Sequence, residues 1–167
     1  MPQQLDRIIA QWNAEKPQLD VSPMAVIGRL SRTAQAVESR LAATFAAHGL
    51  DSSSFDVLAT LLRSGAPHRL TPAALANDAM ISTSAVAQRL NKLESRGLVS
   101  RTANPDDGRG TLVSLTPEGR ELVEETLPDH LATEHSITGA LSATEQAQLA
   151  VLLQKLGDAA GHERLTS

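Results

Sequence analysis

Between Ser82 and Lys92 the chain reads STSAVAQRLNK, and its polar side chains fall at helical spacing. On a helical wheel referenced to Val86, Leu90 and Leu93 lie within about 40°, while Ser84, Gln88, Asn91 and Ser95 lie roughly 140–200° away. An amide side chain sets a donor beside an acceptor and can bond an adenine edge in a pair; a Ser or Thr hydroxyl bonds base or phosphate. Lys92, on the shoulder of this face, can neutralise phosphate. Ser82, Thr83 and Ser84 stand at the helix start, where free backbone N–H groups favour an anion. Taken alone, a face of this kind is a solvated helix surface.

A glycine-rich loop shortly downstream changes that reading. The stretch PDDGRGTLVSLT, Pro105 to Thr116, holds Arg109 between two glycines. A glycine on each side strips bulk and frees the backbone, so Arg109 is expected at a loop tip rather than inside. LVSRT before the loop and TLVSLT after it have β-branched character and read as a two-stranded hairpin. An arginine on such a tip, beside a groove-entering helix, suits the adjacent minor groove, where narrow A·T tracts concentrate negative potential. The bland alternative is a hairpin turn with a solvated charge.

These residues must be positioned by the elements around them. Leu5, Ile8, Ile9 and Trp12 mark a short amphipathic helix that Pro17 ends. Ser22-Pro23 is read as a cap and first-turn proline, opening a long helix from about Met24 to His48, closed by Gly49. Ser52–Ser54 is read as the cap of a third helix, carrying Phe55, Leu58, Leu61 and Leu62 and stopping at Ser64-Gly65. Thr71-Pro72 opens a short alanine-rich helix to about Ala79, and Ser82 opens the polar-faced helix, which ends at Gly97. After the hairpin, Thr116-Pro117 caps another helix. Ser142 to Glu145 forms a capping box for a last helix with Leu149, Leu152, Leu153 and Leu156 on one stripe. Short helix, turn, helix and hairpin in that order is a winged helix-turn-helix, in which the second helix enters the major groove of DNA. The expected fold class is therefore mainly α with a small β-hairpin. Residues 1–50 are expected to supply N-terminal helices at the edge of an effector site and in dimerisation. Residues 51–116 are expected to form the winged helix-turn-helix domain, and 117–167 the C-terminal dimerisation helices.

The formal charge of -4 is not spread evenly over the 167 residues. Residues 1–62 carry five Lys/Arg against six Asp/Glu, a balance of -1; residues 63–110 carry seven against four, +3; residues 111–167 carry three against nine, -6. Local field, not the total, sets what a surface attracts, and the positive third is the one with the polar helix and Arg109. Cysteine is absent, which removes disulfides and thiolate metal sites and suits a reducing cytoplasm. No apolar run approaches a membrane span, and the polar N-terminus is not a signal peptide, so a cytoplasmic protein is expected. No phosphate-binding glycine loop or nucleophile elbow is present. His130 and His135 do not share a helical face as i, i+4 metal ligands would, so neither an enzyme nor a metal or other cofactor is expected. Acidic neighbours Asp129 and Glu134 leave a pH-sensitive packing role open for either histidine.

The stretch RLNKLESRGLVSRTANPDDGRGTLVSLTPEGREL resembles the recognition helix and wing of the MarR family of bacterial transcriptional regulators. The matching signature is LE-x-x-GLV-x-R, then PDD-x-R-G, then LVSLTPEG. The resemblance extends over the whole chain, and it implies flanking helices that form a two-fold dimer on a pseudo-palindromic operator. Gly108 departs from it, since many members carry arginine there, and so does STSAVAQ at the head of the recognition helix, so no operator sequence is carried over. The N-terminal third, with QWNAEKPQLDVSPMAVIGRL and FDVLATL, is similar to the urate-responsive branch. That similarity implies an effector site of Trp12, Asp56 and Arg89, with Arg101 as a further member, and urate or a related purine such as xanthine as ligand.

Chemically the set is suited to a planar anion: an arginine fork binds it, an indole stacks on it, and a carboxylate is displaced by its charge. On the wheel Arg89 borders the apolar side of its helix, so a ligand contact there would pull on the recognition helix directly. Each residue also has a plainer role. Trp12 completes an apolar stripe and can anchor the first helix; Asp56 falls opposite Leu58 and reads as a solvated charge; Arg89 can cap a salt bridge. Two other functions stay open: a MarR-type regulator answering a phenolic or other aromatic ligand, and a helical interaction scaffold that binds no DNA.

Overall fold

The computed structural model describes residues 2–79, 83–105 and 107–162, without the side chains of residues 2, 3, 83, 107–109 and 162. The chain folds as α1 (Pro2–Glu15), α2 (Ser22–Ala47), α3 (Ser52–Arg63), β1 (Arg69–Leu70), α4 (Pro72–Asp78), α5 (Thr83–Ser95), β2 (Val99–Asn104), β3 (Asp107–Leu115), α6 (Pro117–Thr138) and α7 (Ala143–His162). The sheet is antiparallel, in the order β1-β3-β2. Val99 pairs with Leu115 and Arg101 with Val113, and the register shifts between Ala103 and Asn104 as the hairpin narrows to its tip. The expected helices and hairpin are all present. The two-residue strand β1, which closes the sheet beside β3, was not expected: it has too few residues to show any alternation.

Two helix starts differ from expectation by one residue each. Val21, not Ser22, precedes α2, and its side chain makes no cap; the Asp20 carboxylate instead accepts from the Ser22 N–H at 2.9 Å. Asp51, not Ser52–Ser54, caps α3 and accepts from the Ser54 N–H at 2.7 Å. A carboxylate answers an orphan helix N–H as well as a hydroxyl does, and it adds charge at the positive end of the helix. Thr71 and Thr116 cap α4 and α6 as expected, accepting from the Ala74 and Gly119 N–H groups. Ser142 and Glu145 close their capping box, with the Ser142 N–H donating to Glu145 at 2.8 Å.

One core joins the elements around α5. Val57, Leu58 and Leu61 of α3, Leu75 of α4, and Val86, Leu90 and Leu93 of α5 pack with Val99, Val113 and Val123, and all are essentially inaccessible to water. The inward sides of α3 and α5 thus fix which side chains of each helix face out. Gly119 shows how closely α6 is seated against the start of β2: a Cβ there would lie 1.9 Å from the Leu98 carbonyl oxygen. Away from this core, α2 runs along α6, joined by Thr44 to Thr133 at 2.8 Å, Arg40 to Ser136 at 3.0 Å and His48 to Asp129 at 2.9 Å. Helix α1 lies on α2, with buried Leu5 against Gly28 and Asp6 paired to Arg29. Among the described residues no helix is long and apolar enough to cross a membrane.

Candidate nucleic-acid interface

Helix α5 is split as its sequence demands. Val86, Leu90 and Leu93 are buried, while Ser84, Gln88, Asn91, Lys92 and Ser95 are exposed. Helix α4 precedes it, and Arg63 of α3 donates to the Asp78 carbonyl at the end of α4, tying the first helix of the pair to the domain. The wing comes next, with β2 packed along α5. Of the expected DNA contacts, Ser82 and the side chains of Thr83 and Arg109 lie outside the described residues; the Arg109 backbone belongs to β3.

Lys92 and Asn91 of the polar face are tied to other elements. Lys92 pairs with Asp51, the cap of α3. Burial would raise the Asp51 carboxyl, but Lys92, the Ser53 hydroxyl and the Ser54 N–H together outweigh it and hold the group far below the usual carboxylate range. Asn91 accepts at Oδ1 from Arg101 Nη2, at 2.7 Å, and Arg101 Nε lies 3.5 Å from Glu94 of the same helix.

Behind α5 a second group of polar side chains gathers. Burial pushes the Asp56 carboxyl above its ordinary value, while the Arg89 guanidinium and the His130 imidazole pull it down and Asp51 adds to the rise. By surface area Asp56 is exposed, so its carboxylate sits at the rim of the group, open to water on one side and crowded by protein on the other. His130 stacks on Phe45 at 5.4 Å and tilts against Phe55 at 4.8 Å; its Nε2 lies 3.4 Å from Glu134. Two buried polar atoms of this group make no hydrogen bond: Arg89 Nη1 and His130 Nδ1. Unmet donors of this kind are rare in protein interiors and costly to keep.

Of the expected effector residues, Asp56 and Arg89 are thus brought together, and neither is a plain solvated charge. Trp12 is exposed on α1, and among the described residues no hydrogen bond, ring contact or charge interaction joins it to them. Arg101 is engaged with Asn91 and Glu94 on the polar side of α5 instead. His130 was not read as part of this site. A histidine next to acids signals a titrating group from sequence, but its stacking on Phe45 and Phe55 depends on α6 crossing α2 and α3. A cavity of about 700 Å³ lies elsewhere, between α1, α2 and α6, lined by Arg32, Arg40 and Ile137 among others. It shares no lining residue with the Asp56 group. His135 is exposed, and its carbonyl accepts from Gly139 at the end of α6.

The polar-faced helix, the preceding short helix and the hairpin stand in one domain, and comparison with known proteins places that arrangement. Residues 48–110 match the MarR family. The HTH-type transcriptional regulator PecS of Dickeya dadantii is 37% identical over 149 residues, 89% of this chain and 90% of that protein. The chain belongs to the MarR family. Among solved structures, a mutant MarR from E. coli complexed with operator DNA is 27% identical with a TM-score of 0.71, covering 87% of this chain and 96% of that one. BpsR of Bordetella bronchiseptica, described by its regulation of DNA binding by 6-hydroxynicotinic acid, is 29% identical with a TM-score of 0.72, covering 80% and 93%. This MarR-family chain is thus a transcriptional regulator rather than an enzyme, with a winged helix-turn-helix built on the elements described above.

Proposed function

We propose that this regulator is a homodimeric repressor that is released from a pseudo-palindromic operator when a planar heteroaromatic anion, urate or a related purine such as xanthine, enters the Asp56–Arg89–His130 group. The observation that carries the reading is that Arg89 lies on the recognition helix itself, yet directs a buried, unbonded Nη1 to the side away from the polar face. A ligand oxygen that accepts from that N–H acts on the helix that reads DNA, with no intervening element. An anion between Arg89 and His130 also repels the ionised Asp56 carboxylate, which shares their surroundings. Trp12 joins this ligand only by movement of α1 or from a second copy of the chain, a role for which the resemblance of the N-terminal third to the urate-responsive branch speaks.

Dimerisation is supported by α7. Every described residue of this helix is exposed, including Leu149, Val151, Leu152, Leu153 and Leu156, each between 38% and 56% accessible. A helix gains most of its stability by burying an apolar face, so one without a partner in its own chain calls for one from another. Exposed Met24, Val26, Ile27 and Leu30 on α2 add to that surface. In this reading residues 51–116 hold the DNA and the helices on either side hold the second copy, with recognition helices about one duplex turn apart, ~34 Å.

The test is a titration on the gene's own upstream region, repeated with urate, xanthine and salicylate. Binding is expected to weaken steeply as salt rises, and urate or xanthine is expected to release the DNA while quenching the fluorescence of the single tryptophan. Indifference to salt and sequence would refute the repressor. Release by salicylate alone would favour the second reading, a regulator of phenolic or other aromatic acids, for which the 6-hydroxynicotinic acid response of BpsR speaks.

A further inference from the structure

Arg101 is placed by strand alternation. Val99 and Arg101 point to the same face of β2, and Val99 is 2% accessible, so this is the face turned toward the helices. The guanidinium spans one turn of α5: Nη2 donates to Asn91 Oδ1 at 2.7 Å and Nε lies 3.5 Å from Glu94 Oε2. Its Nε is buried without a hydrogen bond, and the side chain is 29% accessible. It is therefore a strap between wing and helix rather than a free surface charge.

The chemistry of the pair fixes which way Asn91 faces. A guanidinium has donors only, so the amide must turn its oxygen to Arg101 and its NH₂ outward. A free Asn pairs with adenine by donating to N7 and accepting from N6. With its oxygen turned inward to Arg101, Asn91 presents its NH₂ donors outward. The major-groove edge that suits a donor is one of acceptors, guanine N7 and O6, and not adenine, whose N6 amine would meet another N–H.

We propose that Arg101 is a positioning residue for operator reading: by holding the Asn91 amide oxygen it makes Asn91 a donor and selects guanine over adenine at one base pair of each half-site. The inference rests on the recognition-helix reading above, because it requires Asn91 to face a base edge. Arg101 acts through Asn91 and through neutralising Glu94, whose carboxylate would otherwise stand unpaired beside DNA.

Five proteins test it: wild type, N91A, the double variant R101M/E94Q, which removes both charges so that no bare carboxylate is left, the triple variant that combines the two, and N91D. Each is used to select its preferred site from a random duplex pool, and is then titrated on that site with each half-site base changed singly. Wild type is expected to prefer guanine to adenine at one position by roughly tenfold to a hundredfold. N91A and R101M/E94Q are each expected to lose that preference, and the triple variant to lose nothing more. N91D, which retains the partner of Arg101 but carries no donor, should lose the same preference and so covers a double variant that fails to fold. Loss in N91A with full retention in R101M/E94Q overturns the proposal. Uniform weakening on all sequences by R101M/E94Q, with a salt slope lower by about one, overturns it too, because Arg101 would then be a phosphate contact. If N91A changes no position, the placement of the recognition face itself falls.

Discussion

Replacing Arg89 by methionine should make the protein more stable and deaf to its effector. Arg89 Nη1 is buried and unbonded, and a buried donor left without a partner costs about 1–3 kcal/mol. Methionine keeps the length of the stem and removes the charged head, so that penalty disappears. Against it stands the lost attraction to Asp56, which is exposed on one side and so contributes about 0–1 kcal/mol. The net expectation is a gain of roughly 1 kcal/mol, which in a chain of this size is about 2–4 °C in melting temperature. Urate at a hundred times its dissociation constant should stabilise the wild type by about 2.7 kcal/mol, and R89M not at all. Thermal unfolding with and without urate reads both numbers. A melting temperature several degrees below wild type, or an intact urate shift in R89M, would refute the reasoning: Arg89 would then be satisfied in the fold, or the ligand would bind elsewhere.

Asp51→Asn keeps the helix cap, since asparagine caps as well as aspartate, but it releases Lys92. It should tighten non-specific DNA binding and steepen the salt dependence by about one counterion, measured by titration across salt. The same substitution should alter the acid limb of stability. The Asp51 carboxyl is lowered in the folded chain, so its contribution is complete above the ordinary carboxylate range and is lost as pH falls toward the lowered value; urea unfolding of D51N should lack that loss. Gly119→Ala places a methyl 1.9 Å from the Leu98 carbonyl oxygen, where neither backbone can yield cheaply. The expected cost is about 1–3 kcal/mol or more, a fall of roughly 2–12 °C on the same thermal scale; an unchanged melting temperature would mean that α6 is not seated on β2.

The fold was legible where one residue type carries one structural job. The apolar stripe Val86, Leu90 and Leu93 fixed the inner side of α5, and the exposure of Gln88 and Asn91 is its consequence. Gly49, Gly65 and Gly97 stand at positive φ just past three helix ends, where the sequence placed stops. The cap of α3 was misread because DSSS offers four good caps in a row and only tertiary context chooses among them. The site was legible in part. The wheel set Arg89 toward the core and Asp56 in solvent, and Asp56 is exposed; what it could not see is that α6 crosses there and brings His130 beside it. The Arg101 strap was beyond reach: nothing in the spacing of Asn91, Glu94 and Arg101 says that the wing folds back along the helix at that register.

The contacts of α5 give the proposed ligand, held by few groups, a route to DNA binding. Three of its polar side chains are tethered to other elements: Lys92 to the cap of α3, Asn91 and Glu94 to the wing through Arg101, while Arg89 shares a charged site with Asp56 of α3. Asp51 caps α3 and Asp56 lies within the same helix, so in the proposed reading a displacement of Asp56 by an anion would reach the residue that holds Lys92. A ligand shifts an equilibrium only by its difference in affinity for the two states. Under the proposed function that difference would have a physical source: an anion that satisfies Arg89 and His130 displaces Asp56 of α3, and a shift of α3 would loosen the helix from the arrangement that presents Gln88 and Asn91. Weakening the Asp51–Lys92 tether should therefore lower the effector's leverage even though no atom of that pair touches it.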